Sequence, residues 1–198
     1  METFYHGTSV LFKKFDIKHV LEGDNKMKHG AGFYLTTSYK RAAHYSCKRP
    51  GATEFYVYTV EIPDLIADNH IEFKEAVNLS IVKRAEEKLG GSIPHEDTTD
   101  GKLFRKYIAK KLSGKKKDKE LTPADELAAA DFLVGIGVIY IKVPFIWAKP
   151  VVHYDVIVMK PDVVGIQKIE KVDLAVDKKT KKPELVEGSQ KEIPLDSF

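Results

Sequence analysis

The chain has 198 residues, of which 43% are hydrophobic and 31% charged, a composition typical of a soluble globular protein. Its 32 basic and 29 acidic residues leave a net charge of +3, too small a bias to indicate a nucleic-acid binder. The sequence has neither a long apolar run nor a signal peptide, so we expect one cytoplasmic domain over 1–198 with no membrane partner. Cys47 is the one cysteine, so we expect no internal disulfide and no cysteine-built metal site.

The first sixty residues predict three strands and one helix. The aromatic run Phe4-Tyr5-His6 favours a strand, and Gly7-Thr8-Ser9 is typical of a turn. After a polar loop, the segment Gly30-Ala-Gly-Phe-Tyr34-Leu-Thr predicts a strand that is entered through two glycines. Thr37-Ser38 supplies a cap for a helix over about 39–47, and the β-branched and aromatic run 54–62 is the clearest strand.

The middle of the chain, about 64–133, is predicted to be a helical insertion. Apolar residues recur at helical spacing from Phe73 to Leu89 and again over 103–112. Thr122-Pro123 is the pattern of an N-cap followed by proline at the first helical position, so a third helix is predicted to run to about Val134.

A basic segment at 102–119 borders the second of these helices, and only Asp118 opposes its lysines and arginine. Such a run is usually a solvated face or loop. The alternative is a surface that meets phosphates or an acidic partner.

The last third predicts strands. Apolar and β-branched residues dominate 137–144, 151–159, 163–169 and 171–176. A mobile polar tail is predicted over about 184–198. Strands, then helices, then strands, without βαβ alternation, predict an α+β fold with a mixed or antiparallel sheet.

Three segments hold residues suited to chemistry. Glycines and tyrosines from Gly30 to Tyr45 suit a slot for a flat polar ring, although a glycine turn before an ordinary buried strand is the simpler interpretation. His6-Gly7-Thr8 is a weak signal alone. Asp155 begins an apolar strand, where an unpaired buried carboxylate would be costly, so we expect it at a strand mouth. The histidines show no metal-ligand spacing.

Three motifs occur in order along the chain: Phe-Tyr-His6-Gly-Thr-Ser, Gly30-Ala-Gly-Phe-Tyr34-Leu-Thr and Lys40-Arg-Ala-Ala-His-Tyr45. Together they resemble the ADP-ribosyltransferase superfamily of the His-Tyr-Glu type. That superfamily includes the poly(ADP-ribose) polymerases and the diphtheria-toxin-like enzymes. The resemblance covers 4–62 closely and 133–170 loosely. It implies a split, mixed or antiparallel sheet with flanking helices, and leaves the middle helices unmatched.

The resemblance implies NAD as co-substrate and a role for each matching residue. His6 would hydrogen-bond the adenosine-side ribose, and the Gly7 backbone would hold the nicotinamide carboxamide. Tyr34 and Tyr45 would sandwich the nicotinamide ring, which agrees with the affinity of aromatic faces for a flat cation. The implied NAD-binding set is His6, Gly7, Thr8, Gly32, Tyr34 and Tyr45, with no metal.

Catalysis is assigned by the resemblance to a carboxylate on a late strand. Asp155 stands where the family has Glu, as in the rifampin-modifying branch, and would stabilise the oxocarbenium-like charge as nicotinamide leaves. His153 shares the strand face of Asp155 and would be a base for the acceptor, or else an ordinary histidine at a sheet edge. Ala42 replaces a serine that holds the carboxamide in many relatives. The implied catalytic set is Asp155, His6, Tyr34 and His153.

The implied function is a toxin-like mono-ADP-ribosyltransferase, a transferase of the glycosyltransferase class, that cleaves NAD and modifies a macromolecule rather than a small molecule. The acceptor would be a protein or a nucleic acid, and chain elongation is not expected with Asp155 in place of Glu. One alternative is a degenerate module that binds NAD or ADP-ribose without chemistry, as the departures at Ala42 and Asp155 suggest. The other is a nucleic-acid-directed enzyme that uses 102–119, whose binding would weaken steeply with salt.

Overall fold

The computed structural model describes residues 2–21, 27–144 and 153–197. These ranges form an α+β fold with one large, mostly antiparallel sheet and four α-helices, so the predicted class is confirmed. The strands are β1 (Glu2–Thr8), β2 (Phe33–Thr36), β3 (Phe55–Ile62), β4 (His70–Glu72), β5 (Tyr140–Pro144), β6 (Tyr154–Val158), β7 (Gly165–Val172), β8 (Leu174–Val176), β9 (Pro183–Leu185) and β10 (Lys191–Ile193). The helices are α1 (Tyr39–Ser46), α2 (Leu79–Leu89), α3 (Gly101–Ser113) and α4 (Pro123–Val134).

The large sheet has the strand order β10-β7-β3-β1-β2-β6-β5-β4, and β8 pairs with β9 in a separate ribbon. Its neighbouring strands are antiparallel, except that β4 and β5 are parallel. β1 pairs with β3 along its whole length, but its register with β2 is confined to Tyr5 and Thr36. The sheet therefore opens between β1 and β2 beyond this point.

The two faces of the sheet bury different cores. On one face, α1 packs its Ala42 and Ala43 against Val57 and Val172 of β3 and β7. The helices α2, α3 and α4 cover the other strands of that face, with Ile141 and Ile157 in their core. The opposite face carries a mainly aromatic and aliphatic core beneath residues 11–20; its aromatic members are Phe4, Phe15, Phe33, Tyr56, Tyr58 and Tyr140. Within the described ranges, no helix has the length and apolar content needed to cross a membrane.

Local caps explain two of the predicted helix starts. The Ser38 side chain accepts a hydrogen bond from the Arg41 backbone and begins α1. Thr122 and Asp125 form a reciprocal capping box around Pro123, which begins α4 as expected.

The predicted helix from Phe73 is wrong at its start. Residues 70–72 form β4, and the Phe73 backbone N–H still donates to the Lys142 carbonyl at 2.8 Å. The helix begins only at Leu79, where the Asn78 side chain caps it. Phe73 and Val77 are nonetheless buried with the helical core, so their spacing reflects burial rather than helix.

The C-terminal region also differs from the prediction of a mobile tail over 184–198. β9 pairs with β8, and β10 pairs with the edge of β7. β9 and β10 each have three residues, too few for a recognisable alternation, and the partner strands supply the hydrogen bonds that order them. Gly7 and Thr8, expected in a turn, likewise continue β1.

Candidate functional site

A cavity of about 600 Å³ lies where β1 separates from β2. The end of β1, the loop after it, the turn into β2 and one side of α1 line this cavity. The lining includes every member of the predicted NAD-binding set and the predicted catalytic carboxylate: His6, Gly7, Thr8, Gly32, Tyr34, Tyr45 and Asp155. The strand opening thus brings together residues from the first and last thirds of the chain.

Gly7 allows α1 to lie directly on β1. A Cβ at this position would overlap the carbonyl oxygen of Ala42 in the helix. This close approach directs Arg41 and Tyr45, on either side of Ala42 in the helix sequence, into the lining of the cavity. The glycine therefore has a packing role whatever its backbone binds.

His6 occupies the opening between the two strands. Its Nδ1 lies 3.0 Å from the carbonyl oxygen of Tyr34, and its ring contacts Phe15 edge-on with centroids 5.3 Å apart. Burial lowers the pKa of His6, which favours the neutral ring. Since a carbonyl can only accept, Nδ1 carries the proton and Nε2 is left as an acceptor.

Tyr34 closes the turn that enters β2. Its hydroxyl donates to the Gly30 carbonyl and accepts from the His29 backbone N–H, both at 3.0 Å. Gly32 lets this turn lie against β6, because a Cβ there would stand 2.7 Å from the Val158 carbonyl oxygen and its φ of 150° disfavours other residues. The Tyr34 hydroxyl thus stabilises the turn by hydrogen bonds, and the residue also lines the cavity.

Asp155 is only 6% exposed and sits on β6 opposite Thr36 of β2. One carboxylate oxygen accepts a hydrogen bond from Arg41 Nη2 at 2.8 Å. Burial raises the pKa of Asp155, and the Arg41 cation and hydrogen bonds from Arg41 and Thr36 oppose that rise. The carboxylate is therefore held where solvent is scarce and cations are strongly attracted.

Arg41 is the main site residue that the sequence analysis missed. Its guanidinium carbon lies 5.0 Å from the centroid of the Tyr45 ring, while Nη2 reaches Asp155. Residues four apart share a helix face, so the spacing of Arg41 and Tyr45 in α1 was an available signal. Only the tertiary contact with β6 reveals that the same guanidinium holds the carboxylate.

The described part of the cavity lining carries more basic than acidic residues. Its acidic members among the described residues are Asp16 and Asp155. Its basic lining residues are Lys14, Lys28, Arg41, Lys48 and Arg49. This excess of positive charge attracts anionic ligands.

A buried arginine, Arg105, lies behind the Gly30 turn. Arg105 of α3 forms an ion pair with Glu126 of α4, and its side chain packs against Gly30. Nearby, burial lowers the pKa of His29 to about 4, with further contributions from Lys28, Arg105, Arg41 and Lys102. The turn that presents Tyr34 is therefore backed by the helical core.

His153 lies outside the cavity lining, in contrast to Asp155. It is exposed, and its Nδ1 is 3.1 Å from the hydroxyl oxygen of Thr37. The Thr37 hydroxyl also donates to the Tyr154 carbonyl. The structure thus places His153 at the end of β6 and does not bring it to the other predicted catalytic residues.

The basic segment 102–119 is partly neutralised by its own neighbours. Lys106 and Lys110 both pair with Asp118, at 2.5 and 3.2 Å. Lys115 pairs with Asp125 of α4 at 2.5 Å. The segment is therefore less cationic in the fold than its sequence indicates.

No family model, curated protein or solved structure matches this chain. Among the residues that the structure describes, no three or more histidine, cysteine or acidic side chains are grouped so that they could hold a metal ion. Function is therefore inferred from the cavity and from the sequence motifs.

Proposed function

We propose that this protein is an NAD-dependent mono-ADP-ribosyltransferase. The main support is that His6, Tyr34, Tyr45 and Asp155, which come from four separate elements, line one cavity at the opening of the sheet. The motifs predict a nicotinamide pocket from these residues, and their common location is what such a pocket requires.

The cavity has properties that suit NAD. Its volume of about 600 Å³ lies within the ~300–1,000 Å³ range of small-molecule sites. Tyr45 is 45% exposed, and its ring suits a flat cation. The Nε2 acceptor of neutral His6 suits a ribose hydroxyl. The basic lining residues other than Arg41, whose charge Asp155 compensates, suit a pyrophosphate.

Asp155 is the proposed catalytic carboxylate. In the transfer, the bond between the nicotinamide nitrogen and the ribose carbon breaks, and its electron pair leaves with neutral nicotinamide. Positive charge develops on the ribose, where a fixed, poorly solvated carboxylate stabilises it. An acceptor nucleophile then bonds to the ribose carbon and releases its proton to solvent.

A module that binds NAD without turnover is the second candidate. Arg41 already pairs with Asp155 and covers Tyr45, and Ala42 provides no hydroxyl for the carboxamide. The nucleic-acid-directed alternative has less support, because Asp118 and Asp125 pair with several of the lysines that it would use.

Nicotinamide release from NAD, in the presence of a cell lysate as acceptor source, tests the proposal. We expect Asp155→Asn to lower the rate roughly 100-fold or more, the effect of removing a main electrostatic stabiliser of a transition state. Asp131→Asn is the matched control, because Asp131 is an exposed aspartate of α4 outside the cavity lining. Calorimetry with NAD is run on the same proteins.

The outcomes separate the two candidates. If the wild type releases nicotinamide no faster than the Asp155→Asn variant, the proposed transferase activity is contradicted. If calorimetry then still detects NAD binding, the non-catalytic module is the correct function. Mass spectrometry of the lysate after treatment with labelled NAD identifies the modified acceptor.

A further inference from the structure

Arg41 occupies the place that the proposed function assigns to the nicotinamide ring. Its guanidinium lies over Tyr45, 5.0 Å from the ring centroid, and donates to Asp155 at 2.8 Å. The proposed function assigns the Tyr45 face to the nicotinamide ring and Asp155 to the ribose carbon that carries the ring. Both partners are thus already engaged by a residue of the same chain.

The guanidinium resembles the nicotinamide ring of NAD in the two properties that these partners recognise. Each group is planar and each has a single positive charge. A tyrosine face attracts both groups by cation–π interaction, and a carboxylate attracts both by opposite charge, although only the guanidinium also donates hydrogen bonds. Arg41 and the ring therefore cannot use Tyr45 and Asp155 at the same time.

We propose that Arg41 is an intramolecular competitor of the nicotinamide ring, which NAD must displace to bind. This inference rests on the proposed function, since it assumes that NAD enters this cavity. Without NAD, Arg41 balances the negative charge of the buried Asp155 carboxylate. When NAD binds, the positive charge of the nicotinamide ring balances it instead. One cation replaces another, so Asp155 is never left unpaired.

The exchange requires movement of the side chain and not of the helix. The backbone of α1 is held against Gly7, and Ala42 and Ala43, the two residues that follow Arg41, are buried. The Arg41 side chain is 26% exposed and that of Asp155 is 9% exposed, so the arginine is the more accessible member of the pair. Rotation about its side-chain torsions clears the ring position without disturbing the fold.

Competition predicts different effects on two ligands. NAD contains the nicotinamide ring and must displace Arg41, whereas ADP-ribose lacks the ring and need not. We expect Arg41→Gln to tighten NAD binding roughly tenfold, the usual weight of a hydrogen bond between charged groups. The same substitution leaves the affinity for ADP-ribose within twofold.

Lys40→Gln is the matched control for charge. Lys40 precedes Arg41 in α1, is exposed, and pairs with Glu187 outside the cavity lining. Its loss changes the net charge by the same amount, so NAD and ADP-ribose should bind this variant as they bind the wild type. Calorimetry with both ligands on the three proteins gives the comparison.

A second measurement uses the wild-type protein and does not depend on the folding of the Arg41→Gln variant. In ¹⁵N-arginine-labelled protein, the contact between the Arg41 guanidinium and the Tyr45 ring gives a nuclear Overhauser effect. We expect saturating NAD to remove this signal and saturating ADP-ribose to leave it.

Each outcome supports or overturns the inference. Unchanged or weaker NAD binding by Arg41→Gln, equal tightening of both ligands, or a persistent Arg41–Tyr45 signal in the NAD complex overturns it. Weaker NAD binding would instead make Arg41 a ligand of NAD. If none of the folded proteins binds NAD or ADP-ribose, the proposed function itself fails, and this inference fails with it.

Discussion

Two ion pairs on the same face of the sheet show how the cavity region differs from the helical region. In the cavity, Arg41 pairs with Asp155, and the arginine side chain is 26% exposed. Between α3 and α4, Arg105 pairs with Glu126, and the arginine side chain is 3% exposed. The exposure of the first pair is compatible with the cation exchange that we propose, while the second pair is enclosed and stabilises the contact between the two helices.

Breaking the enclosed pair should give the largest loss of stability. We expect Glu126→Gln to lower the free energy of unfolding by about 3 kcal/mol or more, because the Arg105 charge is left buried without its partner. Urea denaturation measures the change. The control is Glu187→Gln, which breaks the exposed pair with Lys40 and should cost less than ~1 kcal/mol. Equal losses of stability in the two variants would show that the buried Arg105–Glu126 pair contributes no more to stability than an exposed ion pair.

The packing of α1 against β1 gives a smaller test of the cavity region. Gly7→Ala should lower the free energy of unfolding by about 1–3 kcal/mol, because the new methyl overlaps the Ala42 carbonyl and forces the helix outward. Gly91→Ala, at a position with open space around its Cβ, is the control and should change stability little. A stable Gly7→Ala protein would contradict the close approach of strand and helix.

The smallest expected effect is on the pH dependence of stability, which depends on His29 beside the cavity. Burial, with Lys28, Arg105, Arg41 and Lys102 nearby, lowers the pKa of His29 from 6.5 to about 4. Below pH 6.5 the unfolded chain therefore binds a proton that the folded protein does not, and stability falls as the pH drops from 6.5 towards 4.

The measurement is the urea midpoint as a function of pH for the wild type and for His29→Gln. The wild type should lose stability more steeply than the variant between pH 6.5 and 4, and the two slopes should agree above pH 7. Parallel profiles across the whole range would show that His29 titrates normally in the folded protein.

Much of the local structure followed from short-range signals. Glycine, aromatic and capping residues predicted β1, β2, β3, α1 and the start of α4, because each signal acts within a few residues. Elements that depend on a distant partner were missed. β4 and β10 form because β5 and β7 supply hydrogen bonds, and each strand has only three residues, too few for a sequence pattern to mark it.

The predicted NAD-binding set and Asp155 line one cavity, although their roles stay predictions. The sequence pattern also suggested His153, because residues two apart share a strand face. That argument requires a regular strand at both residues, but β6 begins only at Tyr154. His153 precedes β6 and bonds to Thr37 instead.

By itself, the sequence determined the α+β class and the residues from which a nicotinamide pocket can be argued, because these depend on local pattern and residue chemistry. The tertiary structure alone decided that the sheet opens between β1 and β2 and that Arg41 meets Asp155 there. That contact joins residues 114 positions apart. It depends on how closely α1 approaches β1, a distance set by packing at Gly7 rather than by any pattern around Arg41.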